Sequence, residues 1–138
     1  MQSATKGKYM PLQQASDFLA ESEALFALLA PLEAAAYERQ TQFKSWSFND
    51  ILVHLHFWNQ AVDLSAQDPE QFGALLAQLG GALAAGTLRS FENGAVSARG
   101  PALSRLWIEH VRQMAPRWQA MDPKQRLAWV GPSMSARS

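Results

Sequence analysis

The chain has 138 residues, no cysteine, and twelve basic side chains against twelve acidic ones, for a formal net charge of zero. That length suits one domain with a single core. The missing cysteine excludes a disulfide scaffold, a cysteine-type zinc site and a protein thiol nucleophile, and a balanced charge without a basic block marks neither nucleic acid nor an anionic membrane as a partner. Hydrophobic residues make up 48% of the chain, and alanine, leucine and glutamine dominate over β-branched types, so the composition predicts an all-α protein.

Residues 1 to 9 read as a polar leader, expected to be disordered, with Met10 equally serviceable as a start. Residues 10 to 138 are expected to form a single helical-bundle domain. The first apolar run, Ala24 to Leu32, lies behind Asp17, Glu21 and Glu23, unlike a signal peptide, and no window approaches the roughly 18 apolar residues of a membrane span. A cytoplasmic protein is expected.

Pro11 suits a first helical position, and Leu12, Ala15, Leu19, Ser22, Phe26 and Leu29 follow at three- and four-residue steps, which predicts a first helix that Pro31 ends or kinks. Residues 33 to 45 read as a connection. Ser47 and Asp50 form an S-x-x-D capping pair, with Trp46 and Ile51 spaced as a hydrophobic staple, so a second helix is predicted from Phe48 to about Ser65. Asp68-Pro69 opens a third helical stretch, interrupted at Gly80-Gly81 and continuing towards Phe91. Asn93-Gly94 and Gly100-Pro101 bracket a loop. Leu103, Trp107, His110, Met114, Trp118 and Met121 then give a fourth helical stripe, with Pro116 as a kink and Asp122-Pro123 as its close. "LAWVGPSM" reads as extended backbone, and "SMSARS" as the N-cap of another helix.

Two of the three histidines lie in the second helix. At about 100° per residue, His54 falls near the middle of an apolar sector that holds Phe48, Ile51, Leu55, Phe57, Trp58, Ala61, Val62 and Leu64. His56 falls on the other side with Asn49, Asn59, Gln60 and Asp63, and is expected to be a solvent-facing or rim residue. His54 has two readings: a buried neutral imidazole satisfied by its neighbours, which periodicity alone favours, or a metal ligand of the kind that helix bundles build from inward side chains. His110, between Trp107 and Met114 on its own stripe, is placed to face His54 and is the second candidate ligand, against the plainer reading of a core stripe with one polar member. Glu92 and Asp50 are candidate carboxylates, without a spacing argument for either. A catalytic zinc needs about three protein ligands, and H-E-x-x-H and H-x-x-x-H patterns are absent. G-x-S-x-G, Walker and G-x-G-x-x-G motifs are absent too, and without a basic stripe the five tryptophans read as core.

"WSFNDILVHLHFWN" at Trp46 to Asn59, "FEN" at Phe91 to Asn93 and the terminal "DPKQRLAWVGPSMSARS" together resemble the DinB-like helical bundles. They are most similar to the branch related to the N-terminal domain of mycothiol-dependent maleylpyruvate isomerase. The resemblance covers most of the chain from Met10 onward. It implies a four-helix bundle, often dimeric, with a divalent metal, commonly zinc or nickel, at one end of its core. It also implies a low-molecular-weight thiol as the partner in isomerisation or transfer. The family's first ligand matches His54; its others, a carboxylate and a histidine four residues apart, come from a last helix that would follow "GPSMSARS". This sequence ends at Ser138, and apart from Asp50 and His54, the first ligand itself, no acidic residue lies four residues from a histidine to replace that pair. The resemblance therefore implies a divalent-metal-binding domain whose site is incomplete in this chain and which does not catalyse on its own. The alternative is a metal-free interaction or ligand-binding module that dimerises through its apolar face.

Overall fold

Ser47 starts the helix on which both histidines lie. Its hydroxyl accepts from the Asp50 N–H at 3.1 Å, and the Asp50 carboxylate accepts from the Ser47 N–H at 2.9 Å, so the predicted capping box is formed. In a computed structural model, which describes residues 13–121, 126–127 and 134–135, the described chain forms six helices. They are α1 (Gln13–Leu29), α2 (Ala34–Tyr37), α3 (Phe48–Gln67), α4 (Pro69–Ala85), α5 (Leu88–Ala95) and α6 (Gly100–Gln119). Two two-residue strands, β1 (Arg126–Leu127) and β2 (Met134–Ser135), pair antiparallel, Arg126 with Ser135 and Leu127 with Met134. The protein is an all-α bundle.

The last long helix is the hub. Leu103, Trp107, Ile108, Val111, Met114, Ala115 and Trp118 of α6 are all buried, and α1, α2 and α3 pack around it. Trp107 is 2% exposed, and burying a side chain of that size contributes roughly 2 to 3 kcal/mol of hydrophobic stabilisation. Helices α4 and α5 pack against the far side of α3 instead. Tyr37 of α2 is fully buried and pins this corner, its hydroxyl donating to the Leu29 carbonyl at 2.8 Å and lying 3.1 Å from the Ser104 hydroxyl.

Several boundaries differ from the sequence expectation. Gly80-Gly81 does not interrupt its helix; α4 runs through the pair and stops at Gly86, which adopts the left-handed conformation (φ +71°) that lets its N–H close the last turn. Asn93-Gly94 is helical rather than the start of a loop, because α5 continues to Ala95. The connection over 33 to 45 contains α2 and a tight turn at Phe43–Trp46, closed by the Trp46 N–H on the Phe43 carbonyl at 2.8 Å. Met134 and Ser135 are in β2 and so do not cap a helix, while extended backbone at Leu127 agrees with the expectation. The leader at residues 1 to 9, the first turn at Pro11, the Asp122-Pro123 stop and residues 128 to 133 lie outside the described residues.

The largest correction concerns α3. Asn49, His56 and Asp63 were expected on its solvent side, yet they are 4%, 2% and 7% exposed. Spaced by seven residues, they form one stripe that faces α6. Helix α3 lies between α6 on one side and α4 and α5 on the other, so a second face is buried as well, and polar residues occupy it at the cost of pairing with one another. Asn49 illustrates the pairing: its carbonyl accepts from the Gly100 N–H at 2.7 Å and its amide donates to Glu38 at 2.9 Å, which ties the start of α6 to α3 and α2's end.

Candidate functional site

Asp50, His54 and Trp58 stand one turn apart on α3 and meet Arg89 and Glu92, three residues apart on α5. Arg89 binds Asp50 at 3.0 Å. Glu92 is 3% exposed and receives two donors: the Trp58 indole N–H at 2.6 Å, and His54 Nδ1, which lies 3.1 and 3.2 Å from its two oxygens. An ionised carboxylate offers only acceptors, so Nδ1 carries the proton, and in the neutral tautomer with that proton His54 Nε2 keeps its lone pair. Nε2 has no hydrogen-bond partner among the described residues, and the His54 side chain is 43% exposed. The imidazole is thus held at one nitrogen and open at the other.

The turn before α3 supplies the roof. Lys44 and Ser45 both have positive φ (51° and 60°), which costs conformational energy for residues with a β-carbon. Thr41 holds the turn, its hydroxyl donating to the Trp46 carbonyl at 2.7 Å and accepting from the Phe43 N–H at 3.1 Å. Trp46 then meets His54 edge to face, ring centres 5.6 Å apart, and the Arg89 guanidinium stacks on Trp46 at 4.5 Å. Trp46 and Trp58 therefore flank the ring of His54, and Arg89 backs Trp46.

His54 does not point into the middle of the bundle, as its place in the apolar sector suggested. It faces α5 at the edge of the fold. His110, the other predicted ligand, belongs to a different cluster: it meets His56, ring centres 5.7 Å apart and planes perpendicular, and its Nε2 lies 3.3 Å from Asp63. His54 and His56 leave α3 about 200° apart, so the two clusters occupy opposite sides of that helix. Asp63 also accepts from the Trp118 indole at 3.2 Å and pairs with Arg117. Burial alone would raise the Asp63 pKa, but the hydrogen bonds from His110 and Trp118 and the charge of Arg117 hold it below the usual carboxylate value. Burial, reinforced by His110, pushes His56 down to about 4, so that ring is neutral at physiological pH.

In the sequence Glu92 is one of two candidate carboxylates with no spacing to prefer it, and the His56–Asp63 side reads as polar surface. The usable signals were the i, i+4, i+8 row of Asp50, His54 and Trp58, and the seven-residue row of Asn49, His56 and Asp63.

A family-implied metal can be tested against these donors. One oriented nitrogen, backed by a buried carboxylate, has the form of a histidine prepared for a metal. Yet among the described residues no group of three or more His, Cys, Asp or Glu side chains could hold an ion. The donors described do not fit a complete catalytic metal centre. No helix among the described residues is long and apolar enough to cross a membrane.

Comparison with curated proteins and with solved structures gives no match. The model of the mycothiol maleylpyruvate isomerase N-terminal domain family matches residues 18–138, a span that contains both histidine clusters. The chain belongs to that family, and its all-α bundle is the DinB-like fold expected from the resemblance.

Proposed function

We propose that the end of the bundle around His54 is a ligand-binding end shared with the thiol-dependent isomerases and transferases of this family. In this reading His54 gives Nε2 to a divalent ion, zinc or nickel, or to the acidic proton of a small thiol. Glu92 supports it by holding the opposite nitrogen, with Trp46 and Trp58 flanking the ring and Arg89 behind Trp46. A divalent metal, when bound, lowers the pKa of a thiol or water and so supplies a nucleophile near neutral pH. The protein's own contribution is narrower: one imidazole with a fixed tautomer, one buried carboxylate that orients it, and an aromatic wall that limits water.

The observation that carries this reading is the unpartnered Nε2 of a half-exposed His54 ring whose Nδ1 is held by Glu92. Because the remaining ligands are not among the described residues, the chain alone is expected to bind zinc or nickel weakly and not to turn over substrate. Calorimetric titration of the purified chain with Zn(II) and Ni(II) tests it. Weak binding that disappears in His54→Ala is the expected result; binding unchanged by that substitution rules His54 out.

A second reading, a metal-free module that pairs with another copy, is favoured by a cleft of about 270 Å³ between α1 and α3, walled by Phe18, Leu25, Leu55 and Trp107. Light scattering over a dilution series together with the metal titration separates the two: a concentration-dependent dimer that binds neither zinc nor nickel supports the module, and a monomer throughout removes it.

A further inference from the structure

Among the described residues, two buried imidazole nitrogens have no hydrogen-bond partner, Nδ1 of His56 and Nδ1 of His110. Buried polar atoms are almost always satisfied, so a pair of them in one contact calls for a missing partner of either. His110 Nε2 lies 3.3 Å from Asp63, and in the neutral ring with its proton on Nε2 the lone pair is left on Nδ1. A carboxylate on one nitrogen and a bare second nitrogen is the arrangement that orients metal-bound histidines, and Asp63 is itself clamped by Arg117 and by the Trp118 indole.

The ring spacing, ordinary for an edge-to-face pair, also leaves room for an ion. At a metal–nitrogen distance of about 2.0 Å each ring centre lies roughly 3 Å from the metal, and two rings on one ion stand roughly 5 to 6 Å apart. The observed separation is 5.7 Å. Met114, one turn along α6 from His110 and 5% exposed, brings a thioether to the same helix face. Among the described residues, the shortage of carboxylate and histidine ligands does not suit a hard or six-coordinate ion, whereas a soft monovalent d10 ion is content with two or three nitrogen and sulfur donors.

We propose that His56 and His110, joined by Met114, form a buried site for a soft monovalent ion of the Cu(I) type, with Asp63 as the residue that positions His110. The site is separate from His54 and stands whether or not His54 binds a metal.

The experiment uses the full chain under anaerobic, reducing conditions. Cu(I) is titrated against a chromogenic chelator, and Ag(I), as a diamagnetic stand-in, is followed through the imidazole nitrogen resonances. One ion per chain is expected, with the Nδ1 signals of His56 and His110 displaced and those of His54 unmoved. Met114→Leu, which keeps the volume of the core, is expected to weaken binding about tenfold, and His54→Ala to leave it unchanged. Loss of binding in His54→Ala, Nδ1 signals that do not move, or no binding at all overturns the proposal; an internal water or a direct N–H···N contact then accounts for the two nitrogens.

Discussion

His56 and His110 meet across the α3–α6 interface with perpendicular rings 5.7 Å apart, although His56 is only two residues from a histidine that faces α5. Helix α3 thus carries two polar clusters on opposite sides. Each is built around one buried carboxylate: Glu92 for His54 and Trp58, and Asp63 for His110, Arg117 and Trp118. The different surroundings give the two sides different tests.

Acid stability reports on the His56 side. The folded pKa of about 4 lies below the ordinary 6.5, so the unfolded chain takes up the proton first. The contribution of this neutral ring is complete above about pH 6.5 and is lost as the pH falls from there to about 4. The gap corresponds to roughly 3 kcal/mol. Asp63 adds a second, lower window, because its depressed pKa contributes stability above the ordinary carboxylate value and loses it as the pH falls further. Urea unfolding between pH 7.5 and 4 is expected to show the first loss in the native chain and a flatter profile in His56→Gln. A flat native profile would contradict the buried, neutral assignment.

Glu92 is expected to matter for stability as well as for orientation. Glu92→Ala strands the Trp58 and His54 donors beside a small cavity and is expected to cost about 2 to 4 kcal/mol. In Glu92→Gln, which preserves shape, the amide oxygen can still accept from Trp58, so the loss is expected to be smaller, while the His54 tautomer is no longer enforced. Nitrogen NMR of His54 reads that difference directly: the Nδ1-protonated form is expected in the native chain and a mixture in the variant.

The capping box offers a local test. Ser47→Ala removes the acceptor for the Asp50 N–H and is expected to destabilise the protein by about 1 kcal/mol. Since Asp50 also anchors Arg89, the substitution is expected to loosen the Trp46–Arg89 stack, visible as a change in tryptophan fluorescence.

Two glycines separated by six positions are expected to respond with opposite signs. An added β-carbon at Gly80 meets nothing within 4 Å, so Gly80→Ala in the middle of α4 is expected to stabilise by roughly 0.5 to 1 kcal/mol. Gly86 has equal space but a φ of +71°, and Gly86→Ala is expected to destabilise by about 1 kcal/mol. Thermal melts of the two variants decide the matter, and a shared sign would refute the placement of the α4 stop.

The helical class, the Ser47–Asp50 start of α3, the stripe that makes α6 the hub and the family to which the chain belongs are all legible in the residues alone. These depend on short-range terms: capping hydrogen bonds, proline and the 3.6-residue repeat of apolar side chains. His54 also stands out there, though for a place in the core that the residue does not take. Only the tertiary structure decided which sides of α3 are covered. A polar stripe reads as solvent-facing when one buried face is assumed, but α3 is packed on two sides, and Asn49, His56 and Asp63 are buried because α6 brings Gly100, His110, Arg117 and Trp118 to meet them. The pairing of His54 with Glu92, 38 residues away, was hidden for the same reason: burial of a charged or polar group depends on a partner that arrives from elsewhere in the chain.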